Sequence, residues 1–119
     1  IGNTNIIDAA VLWKHNSYIP NTLMCLSFQF QKHLNIGKGG MILTDNKKSF
    51  ISLKKLSHDG RDPDIPWREQ NINSTGFHYN MTPETAKIGL EKLPEAKKRK
   101  PRNWKLNDWP DLREMDVFK

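Results

Sequence analysis

Cysteine and long apolar runs are almost absent from this sequence of 119 residues, and both absences set limits. The single cysteine, Cys25, has no partner in the chain for a disulfide bond and forms no pair with zinc-ligand spacing. No apolar run approaches the roughly 20 residues that a membrane-spanning helix needs. The N-terminus also lacks the charged, apolar and small-residue regions of a secretory signal. These absences predict a protein of the reducing cytoplasm with no membrane partner.

Histidine pairs with metal-ligand spacing are missing as well. The four histidines lie far apart along the chain, at His15, His33, His58 and His78. Metal sites usually take two ligands from one short segment, since neighbouring residues then converge on the ion at little entropic cost. The sequence therefore predicts no metal site.

Acidic residues are missing from residues 97–105, and the six basic residues of this stretch account for the whole net charge of +6. Without it, 13 basic and 13 acidic residues remain. With Trp104 and Trp109 it could hold phosphates and stack bases, but a solvated helix end is the favoured interpretation. Nucleic acid is therefore not an expected partner. We call this stretch the basic cluster: Lys97, Lys98, Arg99, Lys100, Arg102 and Lys105.

Short apolar runs that end in polar residues alternate with segments in which the apolar residues have helical spacing. This alternation predicts an α/β fold. Three strands are few for a sheet that needs cover on both faces, so we expect part of a larger sheet. Asn46 should begin one helix and Thr82–Pro83 another, because Thr caps well and Pro needs no donor in the first turn. We expect Gly60 to follow the first helix and Pro94 to end or kink the second. The predicted strands are Ile6–Ile7 with Asp8 at their end, Leu23–Phe28 and Met41–Thr44.

Two groups of residues could carry chemistry. Asp8 ends a strand, and Ser27-Phe28 leads to Lys32 in a loop rich in glycine. Ligands of open α/β sheets gather at the carboxyl ends of strands, so both groups could face one crevice. A lysine held out of water there can form Schiff bases, and a carboxylate can keep a bound pyridine nitrogen protonated. Taken alone, a solvated loop lysine and a turn-forming aspartate remain alternatives.

Four segments, in their order and spacing, resemble the PLP-dependent sugar aminotransferases of the DegT/DnrJ/EryC1/StrS family, fold type I. The most specific segment combines Ser-Phe, a lysine five residues after the serine, and Gly-x-Gly-Gly before a strand. His-x-Gly-Arg after the first helix and Gly-x-x-Tyr-x-Met-Thr before the second strengthen the resemblance. The segments are IIDAA at 6–10, SFQFQKHLNIGKGGMILTDN at 27–46, LKKLSHDGRD at 53–62 and GFHYNMTPETAKIGLEKL at 76–93.

The resemblance implies a part of the mixed-sheet large domain of a fold type I transferase, with pyridoxal 5'-phosphate as cofactor. It implies that Lys32 binds this cofactor covalently and later moves the proton, that Asp8 pairs with the pyridine nitrogen, and that Ser27 contacts the phosphate. The loop 76–81, with His78, would reach the cofactor of a second subunit in a homodimer. The implied substrates are a keto-sugar nucleotide and an amino acid, with glutamate as the amino donor.

Several positions depart from the family pattern. Val11 stands where the family usually has Gln or His near the ring, and Lys38 stands where an acid is frequent. His78 replaces a usual Asn, and Asn80 a frequent Arg. These changes leave open a catalytically degenerate member. A related branch carries histidine instead of the lysine and dehydrates its substrate, but five residues from the serine fall on Lys32 rather than His33, which favours transamination.

The same resemblance divides the chain at Pro94. Residues 1–93 are expected to be a partial PLP-binding large domain, and residues 94–119 a basic, Trp-containing segment that leads toward a missing small domain. Because the chain begins with Ile1, we expect a fragment that lacks the N-terminal half of such an enzyme. The isolated chain is therefore not expected to transaminate efficiently.

Overall fold

The computed structural model describes residues 2–103, 105 and 110–119, and within them the fold is α/β, as expected. The strands are β1 (Ile6–Asp8), β2 (Leu23–Ser27) and β3 (Gly40–Leu43). The helices are α1 (Lys47–Leu56) and α2 (Pro83–Lys98). Single 3-10 turns form at Trp67–Glu69, Leu112–Glu114 and Asp116–Phe118. No helix in these ranges is both long and apolar enough to cross a membrane.

The three strands form one mixed sheet in the order β1-β2-β3. β1 runs parallel to β2, with Asp8 opposite Cys25, and β2 runs antiparallel to β3, with Ser27 opposite Gly40. A side chain at Gly40 would overlap the carbonyl oxygen of Leu26, so β3 can begin this close to β2 only with glycine. The mixed sheet confirms the predicted fold class, while the assignment to fold type I remains a prediction.

The helix α1 begins and ends as the sequence predicts. Asn46 caps its N-terminus, and the Asn46 side chain accepts a hydrogen bond of 3.0 Å from the Ser49 amide. Lys54 and Lys55 lie in the last turn, where cations are favourable near the negative end of the helix dipole. The chain then turns through Gly60, whose φ of +79° is a conformation that glycine adopts at low cost.

Two glycines let the segment after α1 contact the segment that precedes α2. The Phe77 amide donates to the Leu56 carbonyl at 2.7 Å, and the Tyr79 amide donates to the Ser57 carbonyl at 3.0 Å. Immediately before Phe77, a Cβ on Gly76 would overlap the backbone nitrogen of Gly60. The close approach of the two backbones therefore depends on the missing side chain of Gly76.

The helix α2 begins as predicted but passes through Pro94. Thr82 caps it, and the Thr82 hydroxyl accepts a hydrogen bond of 3.3 Å from the Thr85 amide. Of the two outcomes expected at Pro94, a helix end was wrong, since the helix continues to Lys98, and a kink stays a prediction. Pro94 removes a single backbone donor, and burial of Ala96 on the next turn holds the helix in place. The proposed division of the chain at this residue falls inside α2 and stays a prediction.

The core is small and lies between α2 and the segment that joins β2 to β3. Phe28, Leu34 and Ala96 are buried together there. Helix residue Gly89 faces this contact, because a Cβ added to it would lie 3.7 Å from the Ile36 side chain. The core thus fixes the segment that carries Lys32. Partly buried side chains that pack against it are Trp13, Leu26, Ile36, Met81 and Leu93.

The basic cluster begins in the last turn of α2. Lys97 and Lys98 occupy that turn, where their charges are favourable near the helix C-terminus. They and the neighbouring Arg99 and Lys100 are exposed. This placement supports the interpretation as a solvated helix end. Trp104 and Trp109, which the alternative of base stacking required, lie outside the described residues.

Asp45 ties the turn before β2 to the end of β3, and this contact predicts a loss of stability in acid. Its carboxylate accepts a hydrogen bond of 3.1 Å from the Asn21 amide, and its own amide donates to the Tyr18 hydroxyl at 2.9 Å. The Asn21 amide, followed by the Tyr18 hydroxyl, lowers the pKa of Asp45 below 3.8. A lowered pKa stabilises the fold above the unfolded-state value, and the contribution disappears as the pH falls through the folded-state value.

We therefore expect Asp45→Asn to lose stability relative to the unsubstituted chain at neutral pH and to match it progressively below about pH 4. Urea unfolding midpoints measured across this pH range check the expectation. Glu91→Gln, on an exposed part of α2, is the control. A gap between Asp45→Asn and the unsubstituted chain that stayed constant in acid would contradict it.

Candidate functional site

Asp8 lies at the carboxyl end of β1, as predicted, and its side chain is exposed. Its Oδ1 atom accepts a hydrogen bond of 3.0 Å from the Ala10 amide, which is a turn that aspartate forms readily. The Ala9 amide continues the ladder by donating to the Cys25 carbonyl at 3.0 Å. The carboxylate is therefore held at the strand end by one oxygen, and its second oxygen can accept from a ligand.

Ser27 shares one face of the sheet with Asp8. Asp8 is opposite Cys25 in the parallel pair, and Ser27 follows Cys25 by two residues, so the three side chains point to the same side. The Ser27 Oγ accepts a long hydrogen bond of 3.4 Å from the Gln29 amide, which leaves the hydroxyl hydrogen able to donate. A carboxylate and a hydroxyl thus lie at the carboxyl ends of adjacent parallel strands.

Lys32 belongs to a loop that its own backbone closes, and we call residues 29–39 the lysine loop. At its base the Phe28 amide donates to the Gly39 carbonyl at 2.9 Å, and the Ile36 amide donates to the Phe28 carbonyl at 3.1 Å. Gly39 has a φ of +95°, which places it in the left-handed region that glycine tolerates. The glycines of the motif therefore serve the shape of the loop.

Lys32 is half-buried and lines a hollow of about 80 Å³ together with Val11. Val11 follows Asp8 by three residues, so the structure brings the segment after β1 against the lysine loop. A hollow of this size admits the reactive end of a ligand and not a whole cofactor. Its other lining residues are Gln31, His33 and Arg102.

The lysine loop is attached to α2 by polar contacts that the sequence did not predict. The His33 Nε2 atom lies 2.7 Å from the Ala96 carbonyl oxygen, and the Lys92 ammonium donates to the Asn35 carbonyl at 2.8 Å. Trp13 stacks on the His33 ring. These partners are about 20 to 60 residues apart along the chain, and no local spacing signals such contacts.

His78 lies apart from the other candidate residues, beside the end of α1. Its Nδ1 atom is 3.2 Å from an Asp59 carboxylate oxygen, and its backbone pairs with His58. The neighbouring Asn80 lines a separate hollow of about 580 Å³ between β3 and α1. The structure thus places Asp8 and Ser27 at the carboxyl ends of β1 and β2 and Lys32 in the loop that follows β2. His78 lies elsewhere, and its role toward a second subunit stays a prediction.

The chemistry of these side chains fits an aldehyde-bearing pyridine phosphate. A primary amine can bind the carbonyl carbon, a carboxylate can accept from a protonated ring nitrogen, and a hydroxyl can donate to a phosphate oxygen. Within residues 2–103, 105 and 110–119, no three metal-ligating side chains come together as a metal site.

Comparison with known proteins places this site in context. Residues 20–108 match the DegT/DnrJ/EryC1/StrS aminotransferase family. An uncharacterized protein of Methanocaldococcus jannaschii is 33% identical over 78 residues, which cover 59% of this chain and 20% of that protein. The match thus spans about a fifth of the length of this curated relative. No solved structure matches the chain.

Proposed function

Because this chain belongs to the DegT/DnrJ/EryC1/StrS aminotransferase family, we propose that it binds pyridoxal phosphate in an enzyme that aminates sugars. The amino donor in this proposal is glutamate, and the acceptor is a keto-sugar nucleotide. The observation that carries the proposal is the position of Lys32, half-buried in a hollow that the segment after Asp8 helps to line. A solvated loop lysine would have no such enclosure.

Three side chains of this chain have roles in the proposed reaction. Bound pyridoxal phosphate supplies an electron sink that stabilises negative charge on the substrate carbon. The Lys32 amine would hold the cofactor and move a proton on the substrate. The Asp8 carboxylate keeps the proton on the ring nitrogen, and the Ser27 hydroxyl donates to the phosphate.

The surroundings of His33 support Lys32 as the reactive residue of the pair. The His33 ring is engaged by Trp13 on its face and by the Ala96 carbonyl at Nε2, so it is directed at α2. Lys32, one residue earlier, lines the same hollow as His33, but the His33 ring is already engaged by these two contacts. This arrangement favours transamination over the dehydration that family members with a histidine at the lysine position perform.

The proposal includes a homodimer in which the loop 76–81 of one subunit completes the site of the other. Exposure of this loop supports the proposal, since 73% of Tyr79 is accessible and the His78 side chain is mostly exposed. A large exposed aromatic residue is typical of an interface.

The charge of Asp8 supplies the direct test of cofactor binding. We expect Asp8→Asn to raise the pyridoxal phosphate concentration needed for half-maximal labelling of Lys32 by about tenfold, because a charge-assisted hydrogen bond is lost. Asparagine keeps the oxygen that accepts from the Ala10 amide, so the local turn remains. Labelling is measured by borohydride reduction and peptide mapping.

Asp62→Asn is the matched control for this measurement. Asp62 also accepts through Oδ1 from the amide two residues later, that of Asp64, at 3.1 Å. Asp62→Asn therefore makes the same change from carboxylate to amide, in the same kind of turn, at a position away from the ends of β1 and β2. Equal labelling curves for the two variants would contradict the role of Asp8.

A second candidate function is cofactor binding without amino transfer, and Val11 favours it. Val11 lines the hollow beside Lys32, and its aliphatic side chain offers no hydrogen bond to a ligand there. If this candidate is correct, the complete protein will retain pyridoxal phosphate but will not convert it to pyridoxamine phosphate on addition of glutamate. Conversion within the time of a few turnovers, followed by absorbance, would exclude it.

A further inference from the structure

We infer that His33 is a positioning residue that fixes the lysine loop against both α2 and the segment after Asp8. The inference rests on the proposed function of Lys32, and it assigns a role to a residue that the family resemblance leaves without one. His33 lines the hollow beside Lys32, but its ring is occupied by contacts with α2 and with Trp13. These contacts hold the neighbouring Lys32 in place.

The first contact defines the protonation of the His33 ring. The Ala96 carbonyl lies in the last turn of α2, and the helix ends at Lys98, so the residue that would donate to Ala96 in a longer helix is outside it. A carbonyl oxygen can only accept, and at 2.7 Å from Nε2 it requires a hydrogen on that nitrogen. His33 therefore carries its proton on Nε2 and caps the end of α2.

The second contact joins the two segments of the candidate site. The Trp13 and His33 rings stack with centroids 5.0 Å apart and planes inclined by 21°. Trp13 follows Asp8 by five residues, and the Leu12 amide donates to the Ala9 carbonyl at 3.0 Å in the intervening turn. The stack thus connects the segment that carries Asp8 to the loop that carries Lys32.

Burial beside His33 makes this connection firm. Leu34 is buried against Phe28 and Ala96, so the backbone on the C-terminal side of His33 has little freedom. The backbone on its N-terminal side is Lys32 itself, whose amide donates to the Gln29 carbonyl at 2.9 Å. A change in the position of the His33 ring would therefore be transmitted directly to Lys32.

The rate at which an amine reacts with a bound aldehyde depends strongly on how the amine is placed relative to the residues that bind the aldehyde. If the His33 ring is lost, the lysine loop keeps its closure at Phe28 but loses its link to the segment after Asp8. The amine then samples positions away from the strand ends. Loss of His33 should accordingly lower the reactivity of Lys32 more than that of other lysines.

Two substitutions of His33 separate its hydrogen bond from its stack. His33→Phe keeps an aromatic ring against Trp13 and removes the donor to Ala96, whereas His33→Gln keeps an N–H donor and removes the ring. In this chain we measure borohydride-trapped pyridoxal phosphate on Lys32 relative to that on Lys38, an exposed lysine of the same loop. We expect each variant to lower this ratio about fivefold, the effect of one contact of ordinary strength.

His15→Phe is the matched control. His15 is an exposed histidine near Trp13 and outside the contacts described above, so the ratio should be unchanged. A second readout needs no cofactor: NMR of the imidazole nitrogens should find the His33 proton on Nε2 in the unsubstituted chain. If His33→Phe fails to fold, Trp13→Leu removes the stack and leaves the donor, and we expect the same fall in the ratio.

Three results bear on the inference and separate it from the proposed function. An unchanged Lys32-to-Lys38 ratio in a folded His33 or Trp13 variant would overturn the inference, and so would a proton on Nδ1 instead of Nε2. A Lys32-to-Lys38 labelling ratio near one in the unsubstituted chain would overturn the proposed function of Lys32 but not the inference about His33. In that case the NMR measurement still decides whether His33 caps α2.

Discussion

Replacement of Lys32 by alanine should remove nearly all of the pyridoxal phosphate that borohydride fixes to this chain at low cofactor concentration. Lys32 is half-buried and lines a hollow at the end of the sheet, so a bound aldehyde meets its amine at a high effective concentration. An exposed lysine does not gain this proximity. We expect at least about a tenfold loss of label, because even modest proximity exceeds the reactivity of a free amine.

Lys38→Ala provides the matched control for this experiment. Lys38 lies in the same loop and has the same chemistry, but its side chain is exposed. The label should therefore remain on Lys32 in the Lys38 variant. Similar labelling of the Lys32 variant and the unsubstituted chain would remove the basis of the proposed function, whatever the result for other residues.

A methyl group added at Gly76 should cause a large loss of stability. Its Cβ would overlap the backbone nitrogen of Gly60 and the carbonyl carbon of Asp59, and neither belongs to a flexible side chain that could move away. The backbones must separate, which breaks the hydrogen bonds that join this segment to the end of α1. We expect Gly76→Ala to cost about 3 kcal/mol, a large part of the stability of a domain of this size.

The opposite result is expected when the same methyl group is added at Gly89. This glycine lies inside α2, and its Cβ would meet the Ile36 side chain at 3.7 Å, an ordinary contact distance. Alanine in a helix interior is more favourable than glycine by about 1 kcal/mol. Urea unfolding followed by circular dichroism should therefore show Gly89→Ala more stable and Gly76→Ala much less stable. A Gly76→Ala chain as stable as the unsubstituted chain would refute the account given for Gly76.

Local sequence signals predicted the elements well, because local physics forms them. Asn46 and Thr82 cap the two helices as expected, since their side chains accept from amides only three residues away. Asp8 ends β1 for a similar reason, as its carboxylate forms a turn with the next residues. Each of these interactions lies within one turn of chain, so spacing alone reveals it.

Contacts between distant segments could not be predicted in this way. Pro94 is a local signal for a helix end, but α2 continues through it because Ala96 is buried against the lysine loop. The link from Trp13 to His33 crosses 20 residues, and nothing in either neighbourhood indicates it. The candidate site residues therefore come from sequence motifs and their roles stay predictions, whereas the contacts between their segments are found only in the structure.

The closed base of the lysine loop affects how strongly a cofactor could bind. Phe28 uses both its amide and its carbonyl to hold the loop together before any ligand arrives. Ordering a residue costs about 1 kcal/mol or more in conformational entropy. A flexible loop would lose this entropy when the cofactor binds, which would lower its affinity. Here the loss occurs when the chain folds. Affinity for the cofactor is thereby coupled to the stability of the fold, so a variant that loosens this base should weaken binding without touching the ligand.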